Sequence, residues 1–409
     1  MGASITIEYI KKEIPAKLGN LATIGSAVGL ALAILAFYLE PQRATFGSLI
    51  GFMFIMSIGM GALFFIALDH LTTAVWSVPF RRIAEMLTNV FWIAPIFAAP
   101  ILINIIMSMN GGHGLFDMYH WTHDHEVAID PFLSQKAPYL NESSFLFRYV
   151  LIWVLMMAFK FVLVGNSYKQ DKTFNIKLNK VNAKFSALFM VVFAISITVT
   201  AIDFMMSLEP HWFSTIYGVY YFAGTFNVIV ALITLLAVYL NEKGLMIEGI
   251  NKDHYYSLGG WMFAFTTFWM YIAFSQFMLI YYANIPEETF WFIPRMEGAW
   301  AFWSIALLFI KFIIPFGLSI NKSSKVNPKR LKLLAYWNIG AHFFDIWWLT
   351  YPTYSHLKET HSPFLGWQEL AFVLLSFSLI LLIFKMSAKN RSIVPIGDAK
   401  MERALNFHL

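Results

Sequence analysis

Asn338 to Pro352 reads NIGAHFFDIWWLTYP, and what this run is decides what kind of protein the chain forms. Its residues are apolar or aromatic except for a few. Asn338, His342 and Asp345 stand at i, i+4 and i+7, which places them on one face of a helix. Ionisable groups in such surroundings are costly unless paired or wetted, so the stripe marks either a buried ion pair or a polar path.

Outward from this run the chain stays apolar. Of 409 residues, 58% are hydrophobic, 18% aromatic and only 13% charged. The mean hydropathy is +0.61. A soluble domain carries about 25% charged residues, so this balance, spread over the whole length, means an all-α polytopic membrane protein. Ten segments are long and apolar enough to span: roughly 18–38, 45–68, 83–108, 144–165, 183–207, 217–240, 258–281, 298–320, 331–351 and 366–385. Pro95 and Pro100 predict a kink in the third. The net charge of +5 is confined to particular loops and does not indicate nucleic-acid binding.

Ten spans put both termini on one side. The loops on that side hold nearly all the basic residues, among them Lys11, Lys12 and Lys17, Arg81 and Arg82, and Lys322 to Lys332. The opposite loops hold Arg43, Lys136, Arg295 and Lys358. The positive-inside rule therefore predicts cytoplasmic termini. The longest outer loop, 109–143, is rich in histidine and acid. The expected organisation is residues 1–44 as an N-terminus and first helix, 45–208 as one four-helix bundle, 209–352 as a second, and 353–409 as a tenth helix and tail.

The two bundles follow from an echo of the opening run. Ser196 to Pro210 reads SITVTAIDFMMSLEP, and aligning Asp203 with Asp345 places Ser196, Thr200 and Asp203 over Asn338, His342 and Asp345. AFKFVLVGNS around Lys160 and FIKFIIPFGLS around Lys311 match in the preceding helices. Helices two to five and six to nine thus read as a parallel repeat, flanked by two peripheral helices. Each copy carries a membrane lysine and a membrane aspartate. Lys160, Asp203, Lys311, Asn338, His342 and Asp345 are candidates for a proton path, His342 above all because imidazole titrates near neutrality. Snorkelling of either lysine and a purely structural ion pair are the competing readings.

Several chemistries are excluded or disfavoured. Cysteine is absent, so this chain ligates no iron–sulfur cluster and performs no thiol chemistry. His342 is the one histidine of eleven deep inside an expected span, too few for a bis-histidine haem b. No nucleotide fingerprint is present. His120, His123 and His125, with Asp124 and Glu126, have spacing compatible with a metal but read more simply as a polar outer loop. Asp69, His70 and Glu369 read as interfacial residues. Met205, Met206 and the aromatic faces could wall a quinone pocket but are more often helix packing.

The runs WMFAFTTFWMYIAFSQFMLIYYANIPEE (Trp261 to Glu288), AIDFMMSLEPHWFSTIYG (Ala201 to Gly218), YHWTH (Tyr119 to His123) and PYLNESSFLFR (Pro138 to Arg148) resemble the smaller of the two homologous membrane proteins of bacterial alternative complex III, a family of membrane anchors of polysulfide-reductase type. The resemblance covers nearly the whole chain. It implies a cofactor-free, multi-pass subunit of the bacterial inner membrane, in a complex that oxidises quinol or menaquinol and passes electrons to periplasmic cytochrome c or to a terminal oxidase. The implied partners are a larger homologous membrane subunit that binds quinol, multihaem cytochrome c and iron–sulfur subunits that hold the haem c and clusters, and membrane lipid. A quinone-binding surface and proton translocation are both implied as roles, the chain being no catalyst alone. A structural anchor and a free-standing secondary transporter remain as other classes.

Overall fold

A computed structural model describes residues 14–109, 118–357, 365–389 and 391–409. Lys11, Lys12 and Lys358, and part of the 109–143 loop, lie outside the described residues. The described chain is helical, without a strand. Ten long helices follow one another: α1 (Ala16–Leu39), α2 (Pro41–Leu71), α3 (Val78–Met109), α4 (Glu142–Thr173), α5 (Lys177–Phe204), α6 (Tyr217–Glu242), α7 (Lys252–Ala283), α8 (Gly298–Ser319), α9 (Pro328–Leu357) and α10 (Trp367–Ala388). Nine of them are long and apolar enough to cross a membrane. The other is α9, which is 30 residues long. Asn338, His342 and Asp345 lower its hydropathy, so it qualifies by length and not by composition.

Proline shapes α3 and α8. In α3 a 3-10 stretch, Thr88–Trp92, interrupts the helix just ahead of Pro95. Pro95 then sits in the first turn of the resumed helix, where its missing N–H costs nothing. In α8 the turn Phe309–Ile313 widens into a π-helix just ahead of Pro315. The proline ring cannot approach the Lys311 carbonyl, and the widened turn relieves that clash. The indole N–H of Trp337 donates to the Ile310 carbonyl at 2.8 Å, satisfying an acceptor in the distorted turn.

Helices α2 and α6 form the centre. In each, 94% of the apolar window is buried within the protein, against 17% for α8 and 28% for α1. Helix α2 packs on α3, α5, α6, α9 and α10, and α6 packs on α5, α7 and α9. Helix α1 lies antiparallel along α10: Gly19, Gly25 and Gly29 face Lys385, Ser378 and Leu375 in turn. A Cβ on Gly29 would stand 2.8 Å from the Leu375 backbone, so the helices touch where only glycine fits. This pairing brings the start of α1 and the end of α10 to one end of the bundle.

That terminus-bearing end is locked by charge. Arg81 donates to Asp69 and to Asp398, each at 2.6 Å, and Arg82 pairs with Glu85 at 2.8 Å and with Asp171. Asp69 is thus a buried member of this network, and His70, also buried, meets the Asn182 amide at 3.2 Å. At the opposite end Glu369, fully buried, accepts from Arg43 Nε at 2.7 Å and from the Gly366 N–H at 2.7 Å. It joins α2 to α10.

Candidate functional site

Helices α8 and α9 bring Lys311, His342 and Asp345 together. Lys311 Nζ lies 3.4 Å from Asp345 Oδ2 and donates to His342 Nδ1 at 3.2 Å. All three side chains are buried. With Nδ1 accepting, the imidazole carries its proton on Nε2, which donates to Ser57 Oγ at 3.0 Å. Ser57 donates to the Tyr221 hydroxyl at 2.9 Å, and that hydroxyl donates to the Met53 carbonyl at 2.7 Å. Thr225 also donates to Ser57, at 3.2 Å. On the other side of the pair, the Tyr220 hydroxyl donates to Asp345 Oδ1 at 2.6 Å.

Local sequence places each member. The π turn of α8 carries Lys311 and aims it at α9. His342 and Asp345, one turn apart, face the same side. Gly224 on α6 leaves the space that the imidazole fills: a Cβ there would be 2.8 Å from His342 Nδ1. Asn338 is buried but donates to the Leu334 carbonyl of its own helix at 3.0 Å, so it is not joined to the chain of bonds by its amide.

In helices α4 and α5 the candidates Lys160 and Asp203 do not meet. Asp203 is held by Arg148, whose Nε and Nη2 donate at 2.7 and 3.1 Å, and by the Tyr139 hydroxyl at 3.0 Å. The Arg148 guanidinium lies over the Tyr139 ring. Lys160 sits apart, its ammonium 5.0 Å from the Trp92 ring centroid. The reason is depth. Helices α4 and α5 run in opposite directions, so Arg148, near the start of α4, is level with Asp203, near the end of α5. Lys160 is about three turns further along. Thr200 bonds the Ser196 carbonyl of its own helix and joins no relay.

Ser57, Tyr220 and Tyr221 were not among the expected residues. Each sits in an apolar run where a hydroxyl carries no sequence signal, and the packing of α2, α6 and α9 brings it to its partners in the cluster. Asn227 and Thr266, hydrogen-bonded at 2.9 Å, add a polar pair between α6 and α7. Along α2 the residues between Ser57 and Asp69 are apolar or glycine, a gap of about 18 Å at helical rise. The buried charges of the terminus-bearing end are thus separated from the Lys311 cluster along this helix.

Beside the cluster a cavity of about 380 Å³ opens between α7 and α8. Tyr220, Trp269, Phe277, Trp291 and Trp348 line it, with Gln276 and Ser304 as polar contacts. Phe274 and Ile305, which also line it, are exposed. Neither Met205 nor Met206 borders it.

Between α3 and α4 the structure brings His120 and His123 to Glu126 and leaves His125 and Asp124 exposed. His120 Nδ1 is 3.1 Å from one Glu126 oxygen and His123 Nδ1 is 3.4 Å from the other. No family model matches the chain, and no curated protein does.

Proposed function

We propose that this chain is a membrane subunit of a quinol-oxidising respiratory complex of the alternative complex III type, and that its second four-helix unit carries a proton path. The observation that carries the reading is the buried Lys311–Asp345 pair, continued through His342 to Ser57 and Tyr221. A structural pair needs no imidazole and hydroxyls strung beyond it. A path needs groups that accept and donate in turn, and His342 and Ser57 do both. The aligned polar stripes support a parallel repeat, as do the equivalent contacts of α2 with α3 and α5 and of α6 with α7 and α9. The motif resemblance supports the complex, with a homologous quinol-binding subunit, multihaem cytochrome c and iron–sulfur partners, and cytoplasmic termini in the bacterial inner membrane.

The cavity beside Tyr220 favours a quinone-binding surface as a second role. It is walled by aromatic side chains with few polar contacts, as a ring and isoprenoid tail require. A free-standing transporter is less well supported: α8 is distorted at Lys311, but its repeat counterpart α4 runs unbroken from Glu142 to Thr173.

Purification from the native membrane tests the assignment. Haem c and iron–sulfur proteins are expected to accompany the chain, and their absence would remove the complex. Proton release per quinol oxidised, in vesicles holding the assembled complex, tests the path. Asp345→Asn is expected to lower it while leaving assembly intact. An unchanged ratio would leave a structural anchor.

A further inference from the structure

The outer loop holds three donors in an arrangement that the proton path does not use. We propose that His120, His123 and Glu126 form a binding site for a divalent transition metal of the Zn²⁺ class. The ligand atoms lie within 4.8 Å of one another. The two imidazole–carboxylate separations are 3.1 and 3.4 Å, one to each Glu126 oxygen. An ion about 2.0–2.2 Å from each of three tetrahedral ligands spaces those ligands at about 3.3–3.6 Å. Each imidazole nitrogen therefore stands near liganding distance of one Glu126 oxygen, and rotation of side chains whose donor atoms lie within 4.8 Å of one another brings the three onto one ion. Two neutral nitrogens and one carboxylate suit Zn²⁺, and oxygen-seeking Ca²⁺ and Mg²⁺ far less.

The backbone beneath the donors is fixed, which separates this set from a chance meeting of surface side chains. Tyr119 is buried, and its hydroxyl donates to the Phe204 carbonyl at 3.0 Å. Trp121 is buried. Ser108 Oγ donates to the Thr122 carbonyl at 2.6 Å, tying the loop to the end of α3. His120 and His123 bracket this anchored 3-10 turn, and Glu126 lies in the first turn of the short helix that follows. The loop thus meets the metal with little ordering left to do. His120 and Glu126 keep 43% and 42% of their side chains exposed, so the fourth coordination position faces outward, open to water or to a ligand from a docked partner.

The test uses the full chain in lipid nanodiscs, stripped with a chelator and titrated with Zn²⁺ by calorimetry and with Co²⁺ by visible absorption. One equivalent per chain is expected, with the intense bands of tetrahedral Co²⁺. His120→Ala and Glu126→Gln are each expected to weaken binding by at least about tenfold, whereas His125→Ala leaves it unchanged. Circular dichroism of each variant, matching the parent, excludes misfolding as the cause. Absence of saturable binding would overturn the site, as would one-equivalent binding that survives His120→Ala and Glu126→Gln.

Discussion

Gly224 and His342 are fitted to one another across the α6–α9 contact: a Cβ on Gly224 would lie 2.8 Å from both Cε1 and Nδ1 of the imidazole. The ring is held at that spot by Lys311 on one nitrogen and Ser57 on the other. Gly224→Ala is therefore expected to displace the imidazole without removing any titratable group. Overpacking of this kind costs about 1–3 kcal/mol. The expected signature is a loss of proton release per electron that exceeds the loss of thermal stability of the purified complex. A variant that is destabilised but releases protons at the parent ratio would show that His342 is packing alone.

The Lys311–Asp345 pair predicts a reversal on double substitution. Removing one partner strands a buried charge, at a cost of about 3–5 kcal/mol. Lys311→Met and Asp345→Asn are each expected to lower the unfolding midpoint in detergent, and Lys311→Met/Asp345→Asn to recover most of that loss. Proton release is expected to stay impaired in all three. Recovery of proton release in the double variant would separate the pair from the path.

Asp203 is expected to behave differently, because a guanidinium and a phenol hold it rather than a lysine and an imidazole. Arg148→Met leaves the carboxylate buried with Tyr139 as its remaining partner and is expected to cost about 3 kcal/mol. Lys160→Met is expected to change stability by under about 1 kcal/mol, since no carboxylate among the described residues holds that ammonium. Neither substitution is expected to alter proton release per electron. Chemical denaturation of the two variants side by side checks the stability order, and equal losses would contradict it.

These contrasts show what could be read from residues alone. The helix bounds were legible because lipid demands unbroken apolar runs, and Tyr217–Glu242 lies close to the expected 217–240. The Lys311, His342 and Asp345 cluster was legible because i, i+4 spacing fixes the face of a helix and charges in that setting need partners. The Asp203 partner was not named, although its signal was present: the depth of a residue along antiparallel helices ranks Arg148 above Lys160. Ser57, Tyr220 and Tyr221 left no such signal, because a hydroxyl in an apolar helix can bond its own backbone, as Thr234 and Thr350 do. Between α3 and α4 Glu126, not His125, lies beside His120 and His123, because one helical turn separates it from His123.

The C-terminal tail gives a pH prediction. Burial by itself raises the Asp398 carboxyl, but the Arg81 guanidinium and the Lys400 N–H outweigh it and hold the carboxyl at about 2. A carboxyl lowered on folding stabilises the folded state at pH above its unfolded value of about 3.9, and that stability is lost as pH falls toward 2. The shift corresponds to about 2 kcal/mol at neutral pH. The tail also bonds the α6–α7 connection, through Asn251 Nδ2 to the Phe407 carbonyl at 2.7 Å and His254 to the Ala404 carbonyl at 3.0 Å. Asp398→Asn is therefore expected to speed amide exchange across 397–405 at neutral pH and to remove part of its acid dependence below about pH 4. Exchange in that segment unchanged by the substitution would show that Arg81 does not hold the tail.

The cavity between α7 and α8 supplies the last test, and it separates the quinone role from the proton path. Ala273 lines the cavity and, having no polar side-chain atom, takes no part in the Lys311, His342 and Asp345 cluster. Ala273→Phe would fill part of the 380 Å³ and leave the hydrogen-bonded chain in place. Trp269, Trp291 and Trp348 line the same space, so a short-chain quinone bound there quenches their fluorescence. The substitution is expected to raise the half-quenching concentration at least about tenfold, a change of about 1.4 kcal/mol in binding. It is expected to leave proton release per electron unchanged, because the Tyr220 hydroxyl still reaches Asp345. Parent-like quenching in Ala273→Phe would place the quinone elsewhere in the complex. A fall in proton release alongside weakened quenching would join the two roles, with Tyr220 as the contact between the bound ring and the buried aspartate.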